Sequence, residues 1–147
     1  MSEETMQAAM DQAYRFLAQR FLSSYELTQK MRRKQIEDPI IERVLERLRD
    51  YDYINDERLS EQVLNYLMKE QKYGAYMIKQ KMKLRGLTVP PEISDYDEVK
   101  AAYRVLEKKF GSILNEDCTP RVKVFNFLKY RGFSTSTIQV VCNDFYE

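Results

Sequence analysis

Six cations recur at fixed places along this chain, and their chemistry is attraction rather than turnover. Arg32, Lys83 and Lys129 form one set and Lys34, Arg85 and Arg131 a second. Each set is registered on an apolar ladder that occurs three times: Leu27-x3-Met31-x4-Ile36, Ile78-x3-Met82-x4-Leu87 and Val124-x3-Leu128-x4-Phe133, offset by 51 and then 46 residues. With 44% apolar residues the ladders alone could coincide by chance, but the cations aligned on them could not easily do so. Residues 23–34, 74–85 and 120–131 together hold twelve Lys or Arg against the single acid Glu26, a net +11. The remaining 111 residues hold twelve cations against 22 acids, a net −10, so an overall charge of +1 conceals a strong segregation. Lys34, Arg85 and Arg131 also stand where a cation complements the negative end of a helix dipole. That role does not account for Arg32, Lys83 and Lys129, about 100° around a helix from the Met31, Met82, Leu128 line and so on its outward face. Such a basic ridge is a footprint for phosphates or for an acidic protein groove. Tyr25, Tyr76 and Tyr130 lie on or beside the same segments. Bases could stack on them, but core packing with the hydroxyl at the surface is the favoured reading.

Catalysis finds little support. The chain has no histidine, which excludes the usual Ser and Cys triads and histidine-bearing metal sites. All four glycines are isolated, so there is no Gly-rich phosphate loop. Asp50, Asp52, Asp56 and Glu57 cluster, but without the spacing of a calcium loop, and read as a helix stop followed by an N-cap. Neither an enzyme nor a bound metal or cofactor is expected. Cys118 and Cys142 lie in no metal or redox spacing and fit a reducing cytosol as small hydrophobes. The acidic N-terminus and the absence of an apolar run near 18 residues argue against a signal peptide or a spanning helix. A soluble, cytoplasmic protein with no membrane role is expected.

The elements that must position the cations all read as helices. Residues 4–22 carry Met6, Met10, Tyr14, Leu17 and Phe21 at helical spacing. Ser23-x-x-Glu26 is a capping-box pattern opening a second helix to Lys34, and Asp38-Pro39 opens a third, with Asp at the N-cap and the stripe Ile40, Ile41, Val44, Leu45 and Leu48. Asn55-Asp56 begins the next helix, with Leu59, Val63, Tyr66 and Leu67 on its core face. A break at Tyr73-Gly74 precedes a helix to Arg85, ended by Gly86 in the left-handed conformation. Pro90-Pro91 marks a short helix before Asp95-Tyr96-Asp97 caps another; Thr119-Pro120 opens a helix to Arg131, and a last one runs from Ser134 to Phe145. Segment 111–119 is the expected mobile linker. The fold class is therefore all-α: an elongated, monomeric array of three tandem three-helix, helix-turn-helix-like repeats, 1–54, 55–97 and 98–147, each burying its apolar face on the next.

The ordered set of motifs resembles the RecX family of recombination modulators. Leu17-x-x-Arg20-x-x-Ser23-x-x-Glu26-Leu27-x-x-Lys30-Met31-x-x-Lys34 looks like its first-repeat signature, Tyr53-Ile-Asn-Asp-Glu-Arg-Leu59 like its repeat junction, and Arg85-Gly86-Leu87 and Leu128-x-x-Arg131-Gly132-Phe133 like its later repeats. Coverage runs from about Ala13 to Val141. Gln35 stands where the family has Gly, and Leu22 where it commonly has Arg. Many relatives carry a segment ahead of the first repeat, so the chain would be a short member or a fragment. The resemblance implies a non-enzymatic regulator, acting in DNA repair and recombination, that binds the RecA filament on single-stranded DNA and lies in its helical groove. There it would restrain ATP hydrolysis, filament growth and strand exchange, and would also bind DNA itself. The contact residues expected on this basis are Arg32, Lys83 and Lys129, then Lys79, Lys81 and Arg85, with Lys34 and Arg131 completing the basic surface. The competing reading is a stand-alone helix-turn-helix DNA-binding protein. Against it, third helices that ought to read bases carry acids: Glu42, Glu46 and Asp50, then Asp144 and Glu147.

Overall fold

Local capping chemistry and three-to-four residue apolar spacing turn nearly every one of these segments into a helix. The computed structural model describes residues 2–111 and 119–146, among which there are eight α-helices and no strand. In order they are α1 (Glu3–Gln19), α2 (Ser24–Arg33), α3 (Asp38–Asp50), α4 (Asp56–Glu70), α5 (Ala75–Leu84), α6 (Glu98–Phe110), α7 (Arg121–Tyr130) and α8 (Thr135–Phe145). The chain forms two compact units, Met1–Gln62 with Lys83–Thr88, and Val63–Met82 with Val89–Glu147. The mobile linker expected at 111–119 falls almost wholly outside the described residues, as does Cys118.

In the first unit α1, α2 and α3 pack on one another around Met6, Met10, Ala13, Leu27, Met31, Ile41, Val44 and Leu48. The capping box forms: the Glu26 amide donates to Ser23 Oγ and the Ser23 amide to Glu26 Oε1, both at 3.0 Å, satisfying two donors that a helix start leaves orphaned. α1 stops at Gln19, because Arg20 is fully extended. Phe21 therefore leaves the expected stripe and stands 73% exposed. α3 departs from expectation at its start. Glu37 holds the N-cap position without a side-chain bond, and Asp38 instead takes the Arg32 guanidinium in two contacts of 2.9 and 3.2 Å. A charge-assisted fork outcompetes a single amide for that carboxylate.

The x4 step of each ladder has a structural cause. Gln35 (φ +63°), Gly86 (φ +71°) and Gly132 (φ +88°) occupy the same left-handed position after α2, α5 and α7. The next residue folds back, so that the Ile36 amide reaches the Met31 carbonyl at 3.2 Å and the Phe133 amide the Leu128 carbonyl at 3.1 Å. This is the six-to-one bond of a Schellman turn, which brings the third ladder residue onto the helix it terminates.

The second unit packs α6 and α7 against α8 around Ala101, Ala102, Leu106, Val124, Leu128, Phe133, Ile138 and Val141. The short helix expected after Pro90-Pro91 does not form, and residues 89–97 run without regular structure. Two consecutive prolines supply no amide donors, the Lys79 ammonium occupies the Pro91 carbonyl, and Asp95 is left-handed at φ +58°. Asp97 then caps α6 through the Lys100 amide at 3.0 Å. α4 opens as expected, in the first unit, with Asn55 Oδ1 accepting from the Arg58 amide at 3.0 Å; along it Leu59 and Leu67 are buried, but Tyr66 is exposed.

Candidate nucleic-acid interface

A single kind of joint is built twice, once in each unit, and the difference between the two copies creates the site. In the first unit the Ser24 amide, at the start of α2, donates to Asp56 Oδ1 at 2.8 Å, and Ser23 Oγ donates to the Arg85 carbonyl. In the second unit the residues 51 positions on do the same work: the Ala75 amide, at the start of α5, donates to Glu98 Oε2 at 2.8 Å, and the Gly74 amide donates to the Arg131 carbonyl at 2.9 Å. Glu98 also accepts from the Ser134 amide at 2.8 Å, so one carboxylate ties down the starts of two helices. Burial pushes the Glu98 carboxyl up, but those amides outweigh it and hold it below the ordinary carboxylate range.

The arginine of each joint meets a different environment. Arg85 forks onto Glu26, Nε to Oε2 and Nη2 to Oε1 both at 3.0 Å, and donates to the Phe21 carbonyl at 2.9 Å. The pair is largely withdrawn from solvent, with side-chain exposures of 21% and 16%. Burial raises the Glu26 carboxyl, and the bonds from Arg85 and the Ser23 amide more than reverse this. The position equivalent to Glu26 in the second joint is Met77. Arg131 accordingly has no carboxylate partner among the described residues. It donates to the Lys72 carbonyl at 3.2 Å and lies over the rings of Phe127 and Tyr73, 5.1 and 5.9 Å from their centroids. Lys81 stands over the same Tyr73 ring at 4.5 Å. The Tyr73 carbonyl is held in turn by the Tyr96 hydroxyl, whose own ionisation burial and nearby Glu98 push up to about 12.

Arg131 and Lys81 open into a pocket of about 660 Å³ completed by Lys72, Lys108, Lys109, Tyr130, Met77 and Val105. Five cations line it and no acid does. Lys72 alone is paired, with Glu70 at 3.1 Å outside the lining. Like charges held within a Debye length of one another in a concave, partly apolar wall raise a positive potential that a phosphate relieves. Tyr130 at the edge is 82% exposed. Tyr25 and Tyr76 are exposed as well, so the core packing expected for this trio does not occur.

The other expected contact residues are dispersed. Arg32 is exposed but engaged by Asp38; Lys83 is exposed; Lys34 caps α2 and lines a separate pocket with Gln35, Glu37 and Thr5. Lys79 is spent on the Pro91 carbonyl, Lys129 lies 3.2 Å from Thr135 Oγ1, and Arg85 is a structural clamp on Glu26. Lys81 and Arg131 are brought together. Lys72, Lys108 and Lys109 were not among the expected residues; the adjacent lysines ending α6 carry no local sign that they face α5 and α7. Two acids of the 50–57 cluster take structural roles, Asp52 on Arg58 at 2.8 Å and Asp56 on the Ser24 amide. Among the described residues no group of three or more His, Cys, Asp or Glu could hold a metal, and no helix is long and apolar enough to cross a membrane.

Fold and site together define an all-helical protein of three-helix modules with an acid-free basic pocket. Residues 9–48 match the model of the RecX first three-helix domain, and residues 95–142 that of the RecX third three-helix domain. The chain is 31% identical over 129 residues to the regulatory protein RecX of Acinetobacter baylyi, covering 86% of this chain and 80% of that one. It is 29% identical over 142 residues to the regulatory protein RecX of Chlorobium phaeobacteroides, covering 95% and 94%. The crystal structure of RecX from Lactobacillus salivarius superposes with a TM-score of 0.74 over 97% of both chains at 19% identity, a likeness of fold. The chain belongs to the RecX family, whose curated members matched here are named regulatory proteins.

Proposed function

We propose that this chain regulates a RecA-type recombinase filament on single-stranded DNA, restraining its ATP hydrolysis, growth and strand exchange by binding rather than by chemistry of its own. The observation that carries the reading is the nearly end-to-end match to proteins named as RecX regulators. The three-repeat reading, 1–54, 55–97 and 98–147, belongs to it and is supported by the recurring joint, whose donor amides Ser24 and Ala75 lie 51 residues apart. Repeated modules suit a polymeric partner, because weak contacts to successive protomers combine through high effective concentration. A monomer working in the cytoplasm, where such filaments form, is the corresponding state. The second reading, a stand-alone DNA-binding protein, is kept because the basic pocket alone would serve it.

The deciding experiment is ATP hydrolysis by a recombinase on single-stranded DNA, titrated with this protein. Inhibition at fewer than one molecule per protomer supports a filament regulator. Unchanged hydrolysis together with tight duplex binding would favour the stand-alone reading.

A further inference from the structure

We propose that the pocket of the second unit is a binding site for a free chain of linked phosphates, the triphosphate of a nucleotide or an inorganic oligophosphate. This small-molecule site goes beyond the filament reading above and does not depend on it.

The arrangement of charge selects this ligand. Lys72 follows α4, Lys81 lies on α5, Lys108 and Lys109 fall in the last turn of α6, and Arg131 caps α7. The five cations thus come from four separate segments and surround one cavity instead of following a line. Cations that converge repel one another. A compact anion with several charges on adjacent phosphorus atoms relieves more of that repulsion than a strand that brings one charge per nucleotide. The volume, about 660 Å³, sits within the range of small-ligand pockets, roughly 300–1,000 Å³.

Two of the cations are set in place before any ligand arrives. The Tyr73 ring carries Lys81 and Arg131, the Tyr96 hydroxyl holds the Tyr73 carbonyl, and Arg131 is fixed further by the Lys72 carbonyl and the Phe127 ring. Little side-chain freedom is therefore lost on binding. Glu26 neutralises Arg85 in the first joint, whereas Met77 at the equivalent position leaves the Arg131 guanidinium to an external acid. Specificity follows from the rest of the lining. Among the described residues it holds no Asn, Gln, Ser or Thr to read the edge of a base, and Tyr73, Tyr130, Met77 and Val105 offer flat or apolar contact. Recognition therefore counts phosphates and ignores the identity of the base.

The test is isothermal titration calorimetry of the full chain in magnesium-free buffer with tripolyphosphate, ATP, CTP and AMP. Tripolyphosphate should bind, ATP and CTP should match each other, and AMP should bind at least tenfold more weakly than ATP. A tenfold gain of both triphosphates over tripolyphosphate would make free nucleotide the source, and no gain would admit inorganic chains as well; both support the site. Lys108→Glu/Lys109→Glu changes two exposed side chains and should weaken tripolyphosphate binding at least tenfold. Met77→Glu recreates the acid of the first joint opposite Arg131 and should weaken it several-fold with helicity and melting retained. Arg15→Glu/Arg33→Glu makes an equal charge change on exposed residues of the first unit and should leave the affinity nearly unchanged. The proposal fails if tripolyphosphate does not bind at millimolar concentration, or if AMP binds as tightly as ATP. It fails equally if the Lys108/Lys109 variant binds as wild type does, or if the Arg15/Arg33 variant loses as much. Oligothymidylate binding more tightly per phosphate than tripolyphosphate would also overturn it and return the pocket to the stand-alone DNA-binding reading. No recombinase enters these measurements, so loss of the filament reading would leave the site standing.

Discussion

The Gly74 amide donates to the Arg131 carbonyl at 2.9 Å, and a Cβ added to Gly74 would stand 2.3 Å from the Gly132 carbonyl oxygen. Two backbones thus meet with no room for a side chain. The contact sets the wall of the basic pocket, since Arg131 and Tyr73 flank it on either strand of chain. Gly74→Ala should therefore destabilise the protein by about 1–3 kcal/mol, the usual cost of forcing extra volume into a packed site, and should weaken tripolyphosphate binding as the wall shifts. Urea unfolding and calorimetry on one preparation would check both, and a neutral outcome in unfolding would mean the backbones are not in contact.

Gln35 presents the opposite case. It holds φ +63° at the position where Gly86 and Gly132 stand in the other two copies, so its side chain bears a left-handed penalty that glycine would not. Gln35→Gly removes that penalty and adds some unfolded-state entropy. The net expectation is a neutral to stabilising change, up to about 1 kcal/mol, read as a raised urea midpoint at unchanged slope. A clear loss of stability would contradict the shared role of the three residues.

Acid should loosen both joints. Glu26 and Glu98 have carboxyls held below the ordinary range in the folded protein, by Arg85 and the Ser23 amide in one case and by the Ala75 and Ser134 amides in the other. A carboxyl whose folded pKa is depressed contributes stability that is fully present above its unfolded value of about 4.3 and is lost as pH falls through the folded value. The melting temperature should therefore hold near neutrality and decline below about pH 4.5. Glu98→Gln should melt lower at pH 7 and show a flatter acid limb, since its contribution no longer titrates. An acid limb identical to wild type would mean that Glu98 is not charged in the fold.

What could be read in the sequence was whatever depends on near neighbours. The Ser23–Glu26 capping box, the Asn55 and Asp97 caps and the left-handed glycines 86 and 132 each involve groups within a few residues, and all formed. The site depended on distant pairs. Arg85 looked like a surface cation because Glu26, its partner, lies 59 residues away, and Lys108 and Lys109 face Tyr73 and Arg131 only once α6 has packed. Asp38 leaves the expected N-cap role for a nearer reason: six residues upstream, Arg32 competes for it and prevails. The tyrosines failed differently, since Tyr25, Tyr76 and Tyr130 sit at helical positions compatible with a core, and their exposure follows from which face the neighbouring helices cover.

Arg32, Lys83 and Lys129 recur one residue after a buried ladder position, and all three are exposed. On the proposed filament reading these cations are the candidate contacts with the protein partner, so charge reversal tests that role directly. Arg32→Glu/Lys83→Glu/Lys129→Glu should melt nearly as wild type does, because exposed charges contribute little to stability, the Arg32–Asp38 pair included. It should keep most of its tripolyphosphate affinity and lose inhibition of recombinase ATP hydrolysis. Lys108→Glu/Lys109→Glu should show the reverse order of damage, with tripolyphosphate binding failing first. If the triple variant inhibits the filament as wild type does, these three cations are not the contact surface. The exposed aromatic face around Phe21, Tyr51 and Tyr53 would then become the surface to mutate.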